Sequence, residues 1–120
     1  MGAFMIFSES LKKNADFQKV YKEHNSRANR LLVLYVRAND LGRNRLGISV
    51  SRKVGNSVVR HHLTRLIREA YRLHEASFQI GWDMVVVARK QAGDADFHQM
   101  ESAFLHIARL QKLITEADQV

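Results

Sequence analysis

The period of the apolar positions changes several times along the chain, and each change marks an element. Residues 8–13 show no period and read as extended. Asn14 predicts a helix cap, with Asp16 in the first turn facing the positive end of the helix dipole. Phe17, Val20 and Tyr21 then share a face at i, i+3 and i+4, and the pattern fades by His24, Asn25 and Ser26. Residues 31–37 (LLVLYVR) are β-branched and aromatic and too short for a helix, which predicts a strand. Asn39, Asp40 and Gly42 form a turn, and residues 45–52 (RLGISVSR) alternate Leu46, Ile48 and Val50 with Arg45, Gly47, Ser49 and Ser51. The expectation is a second strand, paired antiparallel with the first as a hairpin. Its small, polar face leaves room for a ligand backbone to approach.

Residues 52–72 (RKVGNSVVRHHLTRLIREAYR) predict the central helix, with Gly55 before it and Asn56 or Ser57 as cap. At 3.6 residues per turn, Val59, Leu63, Leu66, Ala70 and Leu73 fall on one side, and His61, Thr64, Arg65, Arg68 and Arg72 on the other. One face suits a core and the other suits something negatively charged. After a loop through Phe78, Gly81 and Trp82, residues 84–88 (MVVVA) read as a strand covered on both faces and parallel to a neighbour. Asp96 to Gln99 predicts a capping box opening a last helix, with Met100, Phe104, Ile107 and Leu110 on one side. The sum is one α/β (α+β) domain, with a mostly antiparallel sheet carrying one βαβ unit.

Charge turns this outline towards function. The 120 residues hold 19 Lys and Arg against 12 Asp and Glu, a net +7. Residues 37–72 alone hold nine basic side chains, eight of them Arg, against Asp40 and Glu69, so the remainder is neutral. A net charge confined to one segment has the pattern of a polyanion footprint, and Arg is the side chain that forks onto phosphate. A membrane surface fits less well, because such patches lean on Lys with large apolar residues beside it. With no Cys, disulfides and thiolate-bound zinc are excluded and a reducing, cytoplasmic home is expected. The apolar opening, residues 1–7, has no basic flank, is too short to span a bilayer, and has Ile6 where a myristoylation signal needs Ser or Thr.

Candidate catalytic groups do not assemble. His61 and His62 point about 100° apart on a helix, and His98 and His106 lack a further ligand at i+4. No nucleotide-binding glycine loop is present, and Asp94 and Asp96 read as helix caps. Phe17 and Tyr21 keep two readings, core packing or a stacking platform for unpaired bases. A surface for RNA or DNA remains.

Residues 45–60 (RLGISVSRKVGNSVVR) followed by residues 65–69 (RLIRE) closely resemble the bacterial ribonuclease P protein component. Residues 11–21 (LKKNADFQKVY) and 83–90 (DMVVVARK) fit the same family, so the likeness runs from about residue 11 to 113. The resemblance implies an α-β-β-β-α-β-α fold with one central sheet and a left-handed βαβ crossover, where the general rule favours a right-handed one. It implies an N-terminal extension over 1–10, an RNA-binding domain over 11–114 and a polar tail over 115–120. It further implies a large catalytic RNA as partner, which removes the 5′ leader of precursor tRNA with Mg²⁺ held mainly by RNA and substrate. DNA and membrane are not expected partners. By position, the RNA-facing residues are Arg52, Lys53, Asn56, Arg60, His61, His62, Arg65, Arg68 and Arg72. A leader-binding cleft maps to Lys13, Phe17, Tyr21, Val33, Tyr35, Ser49, Ser51 and Lys53, which tips Phe17 and Tyr21 towards stacking. A structural RNA-binding protein of ribosomal type and a stand-alone nuclease are the competing readings.

The chain departs from the family pattern at one place. Where the family reads Arg-Asn-Arg, a variable residue, then Lys-Arg, this chain has Arg60, His61, His62, Leu63, Thr64 and Arg65. Two fixed charges are replaced, and imidazoles as a class titrate between pH 5 and 8. Affinity for the RNA subunit is therefore expected to tighten as pH drops from 8 to 6. A filter-binding series with the wild type and with both His changed to Gln checks this. A flat profile, or an unchanged response in the double variant, would remove the two imidazoles as the cause.

Overall fold

The computed structural model describes residues 8–114. The chain runs β1 (Glu9–Ser10), α1 (Asn14–Lys22), β2 (Ser26–Ala28), β3 (Leu32–Ala38), β4 (Arg45–Ser49), α2 (Ser57–His74), β5 (Trp82–Ala88) and α3 (Phe97–Leu110), with 3₁₀ turns at Glu75–Ser77 and Lys90–Asp94. This is the α-β-β-β-α-β-α order implied by the resemblance, with one short strand in front. That strand comes from the stretch expected as an extension, and it pairs with β4. The apolar opening (1–7) and the polar tail (115–120) lie outside the described residues.

One mixed sheet has the order β1-β4-β5-β3-β2. The antiparallel hairpin expected between β3 and β4 does not form. β5 sits between them, antiparallel to β3 and parallel to β4. The reason is coverage. β5 is the strand that is apolar on both sides, so the centre of the sheet is where both sides are shielded. Met84 and Val86 join the main core with Leu32, Leu34, Val36 and Leu46, beneath α2 and α3. Val85 faces the other way, into a smaller cluster with Leu11 and Val20 that α1 covers. Two of the four strand pairings are parallel, so the sheet is evenly mixed rather than mostly antiparallel. β2 escapes the sequence pattern because its three residues, Ser26, Arg27 and Ala28, are all exposed at the sheet edge.

Local signals held with small shifts. Asn56 caps α2 by accepting from the Val59 amide at 3.0 Å. Gly55 stands there because a Cβ would lie 2.7 Å from a Val59 methyl. The buried face of α2 turns towards Leu63, Ile67, Ala70 and Tyr71, and Leu73, expected inside, is 49% exposed. Tyr71, Phe78 and Phe104 form an aromatic knot that draws α2 and α3 together, with centroids 4.9 to 6.2 Å apart. The capping box of α3 is present in both directions, Gln99 N to Asp96 Oδ1 at 2.8 Å and Asp96 N to Gln99 Oε1 at 3.0 Å. Asn14 is not the cap of α1. It is the first helical residue, and Lys13 precedes it with only its carbonyl engaged.

Candidate RNA interface

Two surfaces meet where β4 hands over to α2. The first is the α1 side of the sheet, which strand register divides into three rows. Val33, Val87 and Ser49 stand side by side, then Tyr35, Val85 and Gly47, then Arg37, Asp83 and Arg45. α1 crosses this face, with Val20 fully buried and Phe17 and Tyr21 half-buried. The Phe17 ring fills the space over Gly47, where a Cβ would stand 2.6 Å from its Cζ. Glycine at 47 therefore lets the chain's own aromatic ring rest on backbone, so the space expected there for a ligand backbone is taken by Phe17. The Tyr21 ring meets Tyr35 edge-on with centroids 4.9 Å apart. Burial pushes the Tyr21 phenol above its ordinary range, against the pull of a hydrogen bond with Ser49.

The residues predicted for the cleft form an aromatic side on α1 (Phe17, Tyr21), an aromatic and aliphatic sheet face (Tyr35, Val33, Val87) and a polar edge at Ser49. Lys13 is exposed at one end of α1, and Ser51, Arg52 and Lys53 are exposed where β4 ends. All eight residues predicted for the cleft thus lie on α1, on the sheet face under it, or on the turn that leads away.

The second surface is α2 beyond that turn. The first turn of α2 carries no acidic residue, so its free amides and dipole face solvent unopposed. Asn56, His61, His62 and Arg65 are exposed, and Ser57, Val58, His61, His62 and Arg65 line a shallow open groove. Thr64 turns inward and donates to the Arg60 carbonyl at 2.9 Å, so it offers little to a ligand. Arg72 is engaged in a fork onto Glu69 at 2.8 and 2.6 Å, which holds that carboxyl below its ordinary range. Arg68 lies half-buried, with its Nε enclosed and without a partner among the described residues. Among the described residues the predicted stripe therefore divides into exposed cations without a partner (Arg52, Lys53, Arg65) and constrained ones (Arg68, Arg72), with Arg60 half-buried.

Sequence reading missed the polar end of the cleft. Asp83, 1% exposed, accepts from Arg45 Nε at 2.8 Å, Arg45 Nη2 at 2.7 Å and Asn39 Nδ2 at 2.8 Å. A carboxylate opening an otherwise apolar strand was the available signal, since a buried charge demands a partner. Which partner depended on the strand order, and that was not legible.

The ribonuclease P family model matches residues 5–112. The chain belongs to the ribonuclease P protein family. It is 50% identical over 111 residues to the ribonuclease P protein component of Lachnoclostridium phytofermentans, covering 92% of this chain and 96% of that one. It is 45% identical to the component from Alkaliphilus metalliredigens, over 92% of this chain and all of that one. Among solved structures it is similar to the Staphylococcus aureus RNase P protein, with a TM-score of 0.83 and 39% identity over 88% of this chain and 97% of that one. The Thermotoga maritima RNase P protein gives a TM-score of 0.77 and 32% identity over 83% and 96%. As a ribonuclease P protein, the chain is the protein component of an endoribonuclease holoenzyme of tRNA 5′ processing and works with ribonuclease P RNA. Among the described residues no helix is long and apolar enough to cross a membrane.

Proposed function

We propose that the two surfaces divide the work of this ribonuclease P protein, α2 docking on the catalytic RNA and the cleft under α1 taking the single-stranded leader of precursor tRNA. The observation that carries the reading is the continuity of the two. The aromatic face of Phe17, Tyr21 and Tyr35 borders Ser49 and continues to the exposed Ser51, Arg52 and Lys53, which lead into the exposed cations of α2. Unpaired bases stack on aromatic faces while their phosphates follow basic side chains, and a cleft joined to a cationic run offers both. Mg²⁺, which the family resemblance implies, is proposed to be held mainly by the RNA and the substrate. The cytoplasm, where the RNA and its substrate are made, is the proposed location.

Adding the purified protein to its cognate ribonuclease P RNA at low Mg²⁺ tests the reading. Cleavage of precursor tRNA stimulated only when both are present supports it. Binding with no effect on cleavage would favour a purely structural RNA-binding role, and cleavage by the protein alone would favour a nuclease. Single variants then separate the surfaces. Phe17→Ala is expected to weaken leader-bearing substrate by ~1–3 kcal/mol while assembly with the RNA persists. Arg65→Ala is expected to weaken assembly and to leave the preference for a leader intact. If both variants fail at the same step, the division of labour is wrong.

A further inference from the structure

The wall of the cleft is a short helix, and something must set its angle to the floor. At the middle of α1, Phe17 rests on the bare backbone of Gly47, which acts as a fulcrum. Tyr21, four residues on, meets Tyr35 edge-on with centroids 4.9 Å apart and so joins the far part of the helix to the sheet. On the near side of the fulcrum, Asp16 lies 3.6 Å from Nη1 of Arg45. Arg45 is ion-paired both to Asp16 on the helix and to Asp83 on the sheet floor. Its Nε and Nη2 are already committed to the two oxygens of Asp83.

A guanidinium is planar, so a fork through Nε and Nη2 fixes the direction in which the remaining Nη1 points. Asp83 cannot move in turn, because its Oδ1 also accepts from Asn39 and its side chain is 1% exposed. Asp16 and Arg45 are themselves four-fifths enclosed, at 19% and 22% exposure, which limits solvent screening of their attraction. The chain of contacts from the sheet to α1 is therefore rigid up to its last member.

We propose that Arg45 is a positioning residue for leader recognition: anchored on Asp83, it holds Asp16 and thereby sets the tilt of α1 and the spacing of Tyr21 over Tyr35. It touches no substrate. Asp16 lies one residue from the fulcrum at Phe17, about 1.5 Å of helix, and Tyr21 lies four residues beyond it, about 6 Å, so a small shift at Asp16 moves the Tyr21 ring about four times as far in the opposite sense. This rests on the reading of the cleft as the leader site and adds a determinant of its geometry.

The test uses the reconstituted holoenzyme with Asp16→Asn, which releases the helix while keeping the Arg45–Asp83 anchor, and with Arg45→Lys, which keeps the charge but loses the fork. Affinity is measured for precursor tRNA carrying a leader and for the same tRNA without one, together with RNA-subunit affinity and Tm. The expected result for Asp16→Asn is a roughly 5- to 10-fold loss of the gain that a leader confers, the low end of what one stacked base contributes. RNA-subunit affinity is expected to stay within twofold, and Asp16→Glu to restore most of the gain. Arg45→Lys is expected to reproduce the loss, with some fall in Tm. An unchanged leader gain in both variants overturns the positioning role. So does a parallel fall in Tm, RNA-subunit affinity and leader gain in Asp16→Asn, which would make the contact simply structural. If the wild type itself shows no gain from a leader, the leader-site reading fails, and the proposal with it.

Discussion

Asp83→Ala is expected to cost the fold about 3 kcal/mol, more than any other polar substitution on the α1 face of the sheet. Breaking a buried ion pair by removing one member costs ~3–5 kcal/mol, because the other charge is left without compensation. The 22% exposure of Arg45 places this case near the lower bound. The Asn39 amide loses an acceptor as well. Urea denaturation should show a lower midpoint with an unchanged slope, since the native area barely alters. A change under ~1 kcal/mol would mean that water replaces the carboxylate and that the anchor is softer than its geometry.

The same group makes stability depend on acid. Burial alone would raise the Asp83 carboxyl. The hydrogen bonds from Arg45 and Asn39 and the charges of Arg45 and Arg37 outweigh it, so the group lies below its ordinary range. A carboxyl lowered by folding takes up its proton first in the unfolded chain, so its stabilisation is complete above the unfolded value near ~4. It is lost as pH falls from there through the lower folded value. The stability gap between the wild type and Asp83→Asn should therefore be constant from pH 5 to 8 and shrink below ~4. A gap that widens in acid would reverse the sign.

On the other surface, the largest effect should come from restoring the family's charges. His61→Asn, His62→Arg and Thr64→Lys together add two fixed cations beside Arg65. Each phosphate contact steepens log affinity against log salt by about one unit, so the triple variant should steepen the slope by up to two. Arg60→Ala with Arg65→Ala should flatten it by about two. Arg72→Ala should change it far less, since its guanidinium is committed to Glu69. Titrations of RNA-subunit affinity from 50 to 400 mM salt decide. Equal slopes for all three variants would place the RNA contact elsewhere.

What could be read from the residues was whatever a single element carries. Periodicity gave α2 and its cap, the capping box of α3 and the doubly apolar β5, and the charge count located the basic helix. Pairing could not be read the same way. β3 and β4 are consecutive strands with a turn-rich link, and nothing in either excludes a hairpin; only the two-sided burial of β5 places it between them. The same gap hid Arg45 and Asp83, which meet through the parallel register of β4 and β5. β2 was missed for a simpler reason, as an edge strand of Ser26, Arg27 and Ala28 has no buried side to leave a pattern.

The central place of β5 also orders events during synthesis. β3 and β4 are made first, but the strand that joins them lies beyond the whole of α2. At ~5–20 residues per second, the ribosome needs roughly 2 to 7 s to pass from residue 49 to residue 82. During that interval β4 waits with its inner edge unpaired, and α1 has only part of its floor to rest on. The face under α1 is therefore among the last features to form, completed in one step when residues 82–88 slot between strands already present. Pulse-labelled amide exchange should find β3, β4 and β5 gaining protection together, and α1 no earlier than they do.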